Sequence, residues 1–164
     1  MSKTASQIAF DGLGAIIVAA LSPQAVLFNA RVDERLAKAG QSATIVNWVW
    51  SRRAPVETGR QFGQGVGLDV VDFNRAFNLE IVCRAASDET MAQAVADVDA
   101  LVMEVRAALM PGPSVPDPTH GGIVRHYVSV ASAQDATEAF AGAARVAARV
   151  LTITAHLRAI GDPD

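Results

Sequence analysis

Residues 75–109 read RAFNLEIVCRAASDETMAQAVADVDALVMEVRAAL, and the change of period inside that stretch decides the fold class. Leu79, Ile81 and Cys83 alternate with Asn78, Glu80, Val82 and Arg84. A half-buried strand needs that period of two, because successive side chains point to opposite faces. The apolar spacing then switches to four and three, through Met91, Val95, Val98, Val102, Val105 and Leu109. These fall on one helical stripe, with Gln93, Asp97, Glu104 and Arg106 off it. Ser87 or Asp88 can cap the first turn, and Asp88 with Glu89 puts negative charge at the positive end of the helix dipole. A strand that runs straight into a helix has a sheet face and a helix face to bury.

On the N-terminal side, residues 4–21 read as a helix that stops at Ser22-Pro23, since proline disfavours helix in the residue before it. Residues 25–31 form a short apolar run, a strand or a helical turn. Residues 33–39 are polar and suit a turn of helix closed by Gly40. Residues 44–51 are a strand, rich in β-branched and aromatic side chains: Ile45, Val46, Trp48, Val49 and Trp50. On the C-terminal side, 123–130 reads as a strand and 135–140 as a short irregular or helical piece. The last element, 150–160, is a strand with Leu151, Ile153, Ala155 and Leu157 on one face. Thr152, Thr154, His156 and Arg158 take the other. The order predicts one α+β domain over 1–164: a mixed, mainly antiparallel sheet with helices packed on one face and a long hairpin arm. There is no internal repeat.

The arm is residues 52–74. It holds Pro55, Gly59, Gly63, Gly65 and Gly67 and too little apolar surface to stay ordered alone, so it reads as a mobile hairpin between two good strands. Val66, Leu68, Val70 and Val71 suggest that its second half extends the following strand. A second loop, 111–122, carries four prolines.

Composition bounds the function. Of 164 residues, 51% are hydrophobic, enough for a real core. The formal net charge of −3 argues against nucleic acid as the main partner, because phosphate contacts need clustered Lys and Arg. The single cysteine, Cys83, excludes an internal disulfide and a cysteine-built zinc site, and its inward strand phase predicts a buried, inert thiol. The apolar run 15–21 follows Lys3 as a signal peptide would, but Asp11 interrupts the approach and the run is far short of the roughly 20 residues that span a bilayer. It reads as a buried helix, with no membrane role.

Chemistry is sought and mostly not found. The glycines of the arm lack the Gly-Lys-Ser/Thr of a phosphate loop, and they lead to a strand, not a helix. His120, His126 and His156 are not spaced as metal ligands and read as hydrogen-bonded structural residues. Asp97 and Asp99 point in nearly opposite directions on a helix. No serine sits in a nucleophile elbow. The expectation is therefore no catalytic residue, no metal and no cofactor. Arg52, Arg53 and Arg60 stand in the arm, either keeping it soluble or meeting an acidic surface or nucleic acid when it docks. With Phe62 they are the candidate interface residues. Trp48 and Trp50 share one strand phase, which predicts core packing.

The element order, with Val26-Leu27-Phe28-Asn29-Ala30-Arg31 after the first helix, a charged stretch, the strand 44–50, a long loop, the strand-helix unit 77–109 and the closing strand 149–157, resembles the tail terminator family of long-tailed phages, the lambda-type minor tail proteins. The resemblance covers roughly residues 4–160. It implies a virion structural protein of the tail or neck, assembled in the host cytoplasm and not an enzyme. It further implies a homo-oligomer, a hexameric ring that caps the tail tube protein, stops tube growth and offers a platform to the head-tail connector or stopper protein. Genome DNA would pass through without sequence-specific binding. Gene transfer agents and tailocins share the architecture. A head-tail joining or tail-completion (neck) protein of similar fold is the alternative within virion assembly, and a small α+β enzyme is the alternative from another class.

Overall fold

The computed structural model describes residues 3–32, 43–63, 69–85, 91–137 and 146–161. Helix α1 (Ala5–Leu21) leads to β1 (Val26–Phe28), β2 (Ala43–Trp50), β3 (Val56–Gln61) and β4 (Val70–Arg84). Helix α2 (Met91–Leu109) follows, then β5 (Val128–Val130), β6 (Gln134–Asp135) and β7 (Val146–Ile160). The strands form one sheet in the order β1-β2-β4-β7-β5, with β3 beside β4 and β6 beside β7. Only the β1–β2 pair is parallel. The expected α+β class, mixed and mainly antiparallel, is the observed one.

The spine is β4 against β7. Each has 15 residues, and they pair without a break from Val70–Ile160 to Arg84–Val146. Odd positions of β4 from Val71 to Cys83 lie on the helix face and are buried. They meet Leu151, Ile153, Ala155 and Leu157 of β7, the inward set that strand alternation predicts. Helices α1 and α2 share the core on this face. The α2 stripe is shifted by one position at its start: Ala94 is buried, whereas Met91 is exposed and Val95 only half-buried. The expected caps Ser87 and Asp88 lie outside the described residues, as does the stretch 33–39. Val82, placed by alternation among polar neighbours, is buried on the opposite face with Val32, Ile45, Val146 and Ala148, a second and smaller apolar cluster.

Thr4 caps α1 with a reciprocal box: its hydroxyl accepts from Gln7 N, and Gln7 Oε1 accepts from Thr4 N. The helix packs on aromatic rings. Phe10 stacks on Trp48 at 5.3 Å and also touches Phe28, Trp50 and Phe77. The Trp48 indole N–H donates to Phe10 O at 3.0 Å, which satisfies a buried polar atom that burial alone would penalise. Both tryptophans therefore pack inward, as their shared phase predicts. Segment 26–30 is clamped by asparagines. Asn47 accepts from Ala30 N (3.0 Å) and donates to Ala30 O (2.9 Å) and to Glu80 Oε2 (2.9 Å). Asn29, at a φ of 49°, accepts from Trp50 N at 2.8 Å.

The expected strand 123–130 is confined to Val128–Val130. Ahead of it the chain turns, because His120, Gly121 and Gly122 all have positive φ and the N–H groups of Gly122 and Val124 donate to Thr119 O instead of to a strand. Asp117 organises this loop, accepting from Thr119 N, Thr119 Oγ1 and Gly121 N. Those donors hold its carboxyl below the usual carboxylate range, the Thr119 hydroxyl most of all. His120 Nε2 donates to Leu109 O at 3.0 Å, tying the loop to the end of α2, the structural role expected of it.

A Cβ at Gly14 would stand 2.8 Å from the Phe28 ring and 3.1 Å from that of Trp48. Trp48 is fully buried and cannot withdraw. Gly14→Ala should therefore lose on the order of 1 kcal/mol net, overpacking of about 2 kcal/mol outweighing the roughly 1 kcal/mol gain in helix propensity. Gly12→Ala meets only the half-buried Ile123 side chain, which can turn away, and should stay within about 1 kcal/mol of the parent. Urea denaturation of both variants checks the pair. A Gly14→Ala protein as stable as the parent would show that α1 does not sit this tightly.

Candidate functional site

The arm begins where β2 ends. Pro55 keeps the residue before it out of helix, and Val56 and Thr58 favour extended backbone, so pairing resumes as β3 against the first residues of β4. Val56 opposes Asn74 and Gln61 opposes Val70, with a bulge between Glu57 and Gly59. The described part of the arm is thus a hydrogen-bonded hairpin, where sequence composition pointed to a segment unable to hold itself. Val70 and Val71 do extend the following strand, as expected; Val66 and Leu68 lie outside the described residues. All six residues of β3 are exposed. A strand whose two faces both meet water is unusual, because strand stability comes mostly from packing against neighbours.

The four candidate interface residues fall into two places. Arg52 and Arg53 are exposed at the break between β2 and β3, beside a groove lined by Val49, Trp50, Asn78 and Glu80. Neither has an ion pair among the described residues. Arg60 and Phe62 stand at the far end of β3. Phe62 is 74% exposed, and Val56 in the same strand is 62% exposed. Arg60 is not an idle cation. It donates two hydrogen bonds to Glu57 (3.1 and 2.9 Å) and one to Asp69 (3.2 Å). The bidentate Glu57 contact, with Asp69 behind it, holds the guanidinium pKa above its ordinary value, and Arg60 in turn lowers that of Glu57. The Arg60 charge therefore shapes the bulge, while the cations presented outward are Arg52 and Arg53.

Sequence reasoning missed Arg75. It lies on the inward phase of β4, where an apolar residue is expected, and it is buried. Its guanidinium sits 4.9 Å from the Trp50 ring centroid and donates to Ser51 O at 3.4 Å. It therefore bridges the point where β2 stops and the arm begins. A charged residue breaking an otherwise apolar phase was the available signal.

The face of the sheet away from the helices is polar along its middle. Asn74, Asn78 and Glu80 of β4 lie beside His156, Thr152 and Val150 of β7, all half-buried. Near the arm, Asp72 accepts two hydrogen bonds from Arg158 (2.8 and 2.9 Å), and Arg125 approaches the same carboxylate at 3.2 Å. The Tyr127 ring covers His156 at 4.7 Å. Burial, and then His126, holds the His156 pKa below its ordinary value. Asp97 accepts from Gln93, and Asp99 pairs with Arg149 of β7, so the two carboxylates do serve separate partners. Cys83 is buried, its thiol pushed up by burial. A groove between the start of α1 and residues 119–125 has an apolar floor of Ala5, Ile8, Ile123, Val124 and Leu157. Its two charged side chains, Arg125 and Arg158, are already engaged by Asp72. Among the described residues no group of three or more His, Cys, Asp or Glu is placed to hold a metal ion. No helix among them is long and apolar enough to cross a membrane.

No family model matches the chain, and no curated protein does. Among solved structures, the sheath/tube terminator of an extracellular contractile injection system, in its extended state, is similar at 13% identity and a TM-score of 0.39. The match covers 95% of this chain and 58% of that one. A likeness of this size leaves function to be argued from the chain's own residues.

Two outcomes follow from the site. Arg75→Ala should lose about 1–3 kcal/mol, since it removes a buried stem and a cation over Trp50. Arg75→Lys should recover only part, because an ammonium has no planar face to lay on the ring. Equilibrium unfolding with tryptophan fluorescence reads both; equal stability of all three proteins would overturn the bridging role. For His156, the folded state favours the neutral imidazole, whereas the unfolded chain protonates at about the ordinary 6.5. Its contribution is therefore full above 6.5 and is lost as pH falls through the lower folded value. The His156 titration followed by NMR should have a midpoint below 6.5, and His156→Gln should flatten the acid limb of the stability curve. A midpoint at or above 6.5 would contradict this.

Proposed function

We propose that this chain is a structural assembly subunit of the tail terminator kind. Copies form a ring on the end of a tail tube, stop its growth and present the surface to which a head connector attaches. The observation that carries this reading is β3 with its flanks. It is an ordered strand exposed on both faces, with free arginines at its base and an exposed phenylalanine at its end, within the long loop of the family resemblance. Such an element suits a partner surface better than a small ligand, which needs a concave, largely buried site with convergent polar groups. The mild net negative charge suits a ring through which DNA passes, since it gives no sequence-independent grip on phosphate.

Omission of the chain during expression of its neighbouring tail genes tests the proposal. Expected are overlong tubes of mixed length that fail to join heads, restored by the parent chain. Arg52→Glu with Arg53→Glu, and separately Phe62→Ser, should leave stability within about 0.5 kcal/mol, as surface changes do, yet impair joining. Tubes of unchanged length without the chain, or particles that never contain it, would reject the reading.

A further inference from the structure

Between Val70 and Asn74, β4 is flanked by β3 on one side and by the end of β7 on the other, a three-stranded ribbon beyond the reach of β2 and β5. Both margins of that ribbon are unpaired among the described residues. The outer edge of β3 pairs with no strand among the described residues. On β7 the partner β5 stops at Ala155, and one further contact, Arg125 N to His156 O, closes the covered part. The carbonyls of Thr152 and His156 point to this outer side, so by antiparallel alternation the N–H and C=O groups of Arg158 and Ile160 do too. They meet no backbone partner among the described residues.

Natural proteins guard such margins with proline, charged side chains (lysine above all), bulges or a covering element. Residues 56–61 contain neither proline nor lysine, and the bulge at Glu57–Gly59 leaves the run from Gly59 onward regular. Val56 and Ile160 are both largely exposed, and their registers, opposite Asn74 and Val70, put both on the sheet face away from the helices. Apolar side chains at two open edges of one ribbon are what an edge-to-edge contact would cover.

We propose that subunits join through these margins, the outer edge of β3 in one copy running parallel to residues 157–160 of β7 in the next. A second copy of the chain is the occupant because the two margins are opposite sides of the same ribbon: each copy offers one edge and lacks the other. The direction also fits. Both β3 and β7 are antiparallel to β4, hence parallel to each other, so a rotation about an axis along the strands carries one edge onto the other. That contact is head-to-tail and closes into a ring, whereas β3 pairing with itself would stop at a dimer and leave both β7 edges open. Within one ribbon Gln61 and Ile160 stand level, both opposite Val70, so an unstaggered joint sets residues 59–61 beside 158–160. This inference rests on the ring reading above and adds which surfaces make the ring.

Cysteine pairs placed across the proposed joint test it. Ile160→Cys is combined in turn with Val56→Cys, Gly59→Cys or Gln61→Cys, which together cover the level joint and its staggers. The variants are oxidised in particles made with the neighbouring tail genes and resolved under denaturing, non-reducing conditions. Cys83 is buried and serves as the constant background. At least one pair should give a covalent ladder that ends at the copy number of the ring, roughly tenfold above either single variant, because the joint aligns the thiols at high effective concentration. A covalent dimer from Val56→Cys, Gly59→Cys or Gln61→Cys alone would overturn the proposal in favour of β3 pairing with itself. No ladder from any pair, in particles that hold the chain in a fixed multiple, would overturn the joint and leave the ring standing. Particles lacking the chain would remove the ring and the joint together.

Discussion

Everything in this molecule hangs on the unbroken pairing of β4 with β7. Fifteen residues of each strand are in register, so the two faces of the sheet are fixed by one phase relation. A slip of one residue would turn Phe73, Phe77, Leu79 and Ile81 to water and bring Asp72, Asn74, Asn78 and Glu80 under the helices. The remaining strands are shorter and attach along this pair. β2 and then β3 occupy the free side of β4, and β6 and β5 occupy that of β7. The central strands run on past β2 and β5, and there β4 is flanked only by β3 and the end of β7, with Val71 and Phe73 still buried on the helix face.

Where β2 ends and the arm begins, the chain places aromatic rings and one buried cation. Phe10, Trp48, Trp50 and Phe77 form a continuous cluster that holds α1 to the sheet. Arg75 then extends the cluster by laying its guanidinium over Trp50 and reaching the Ser51 carbonyl. The arm is therefore anchored at its base by packing, while its outer part is held mainly by the hydrogen bonds of β3 and the Arg60 ion pairs. Such a gradient of support is a physical basis for a segment that finishes its packing on a partner.

A surface-acting protein and a catalyst place their polar residues differently. Here Asp72 is shared by Arg125 and Arg158, Asp99 pairs with Arg149, Arg60 is held by Glu57 and Asp69, and Asn47 is used up in fastening Ala30 and Glu80. These groups neutralise one another and set the positions of strands and loops. The side chains presented outward without such partners, Arg52, Arg53 and Phe62, sit at the two ends of the arm. That distribution is the one the proposed docking role needs.

How much was legible varied with the locality of the signal. The strand-helix unit, the inward set of β7, the inward packing of both tryptophans and the burial of Cys83 were all written in residue periodicity, because burial alternates with a period fixed by backbone geometry. The limit of β5 to three residues was not, since turn hydrogen bonds around Asp117 and Thr119 outcompete strand pairing there. Nor was the exposure of Met91, which depends on where the helix end meets the sheet. The candidate residues Arg52, Arg53, Arg60 and Phe62 are neighbours in sequence, which hides that they lie toward opposite ends of β3. By itself, then, the sequence determined the α+β class, the core-facing phases and the lack of any motif for chemistry, all of which are local patterns of side-chain type. Only the tertiary structure decided that residues 56–61 of the arm form a paired strand, that Arg75 braces its base and that two sheet edges lack a strand partner among the described residues. Each of these depends on which backbone groups and rings come together across long stretches of chain, and no short window of sequence encodes that.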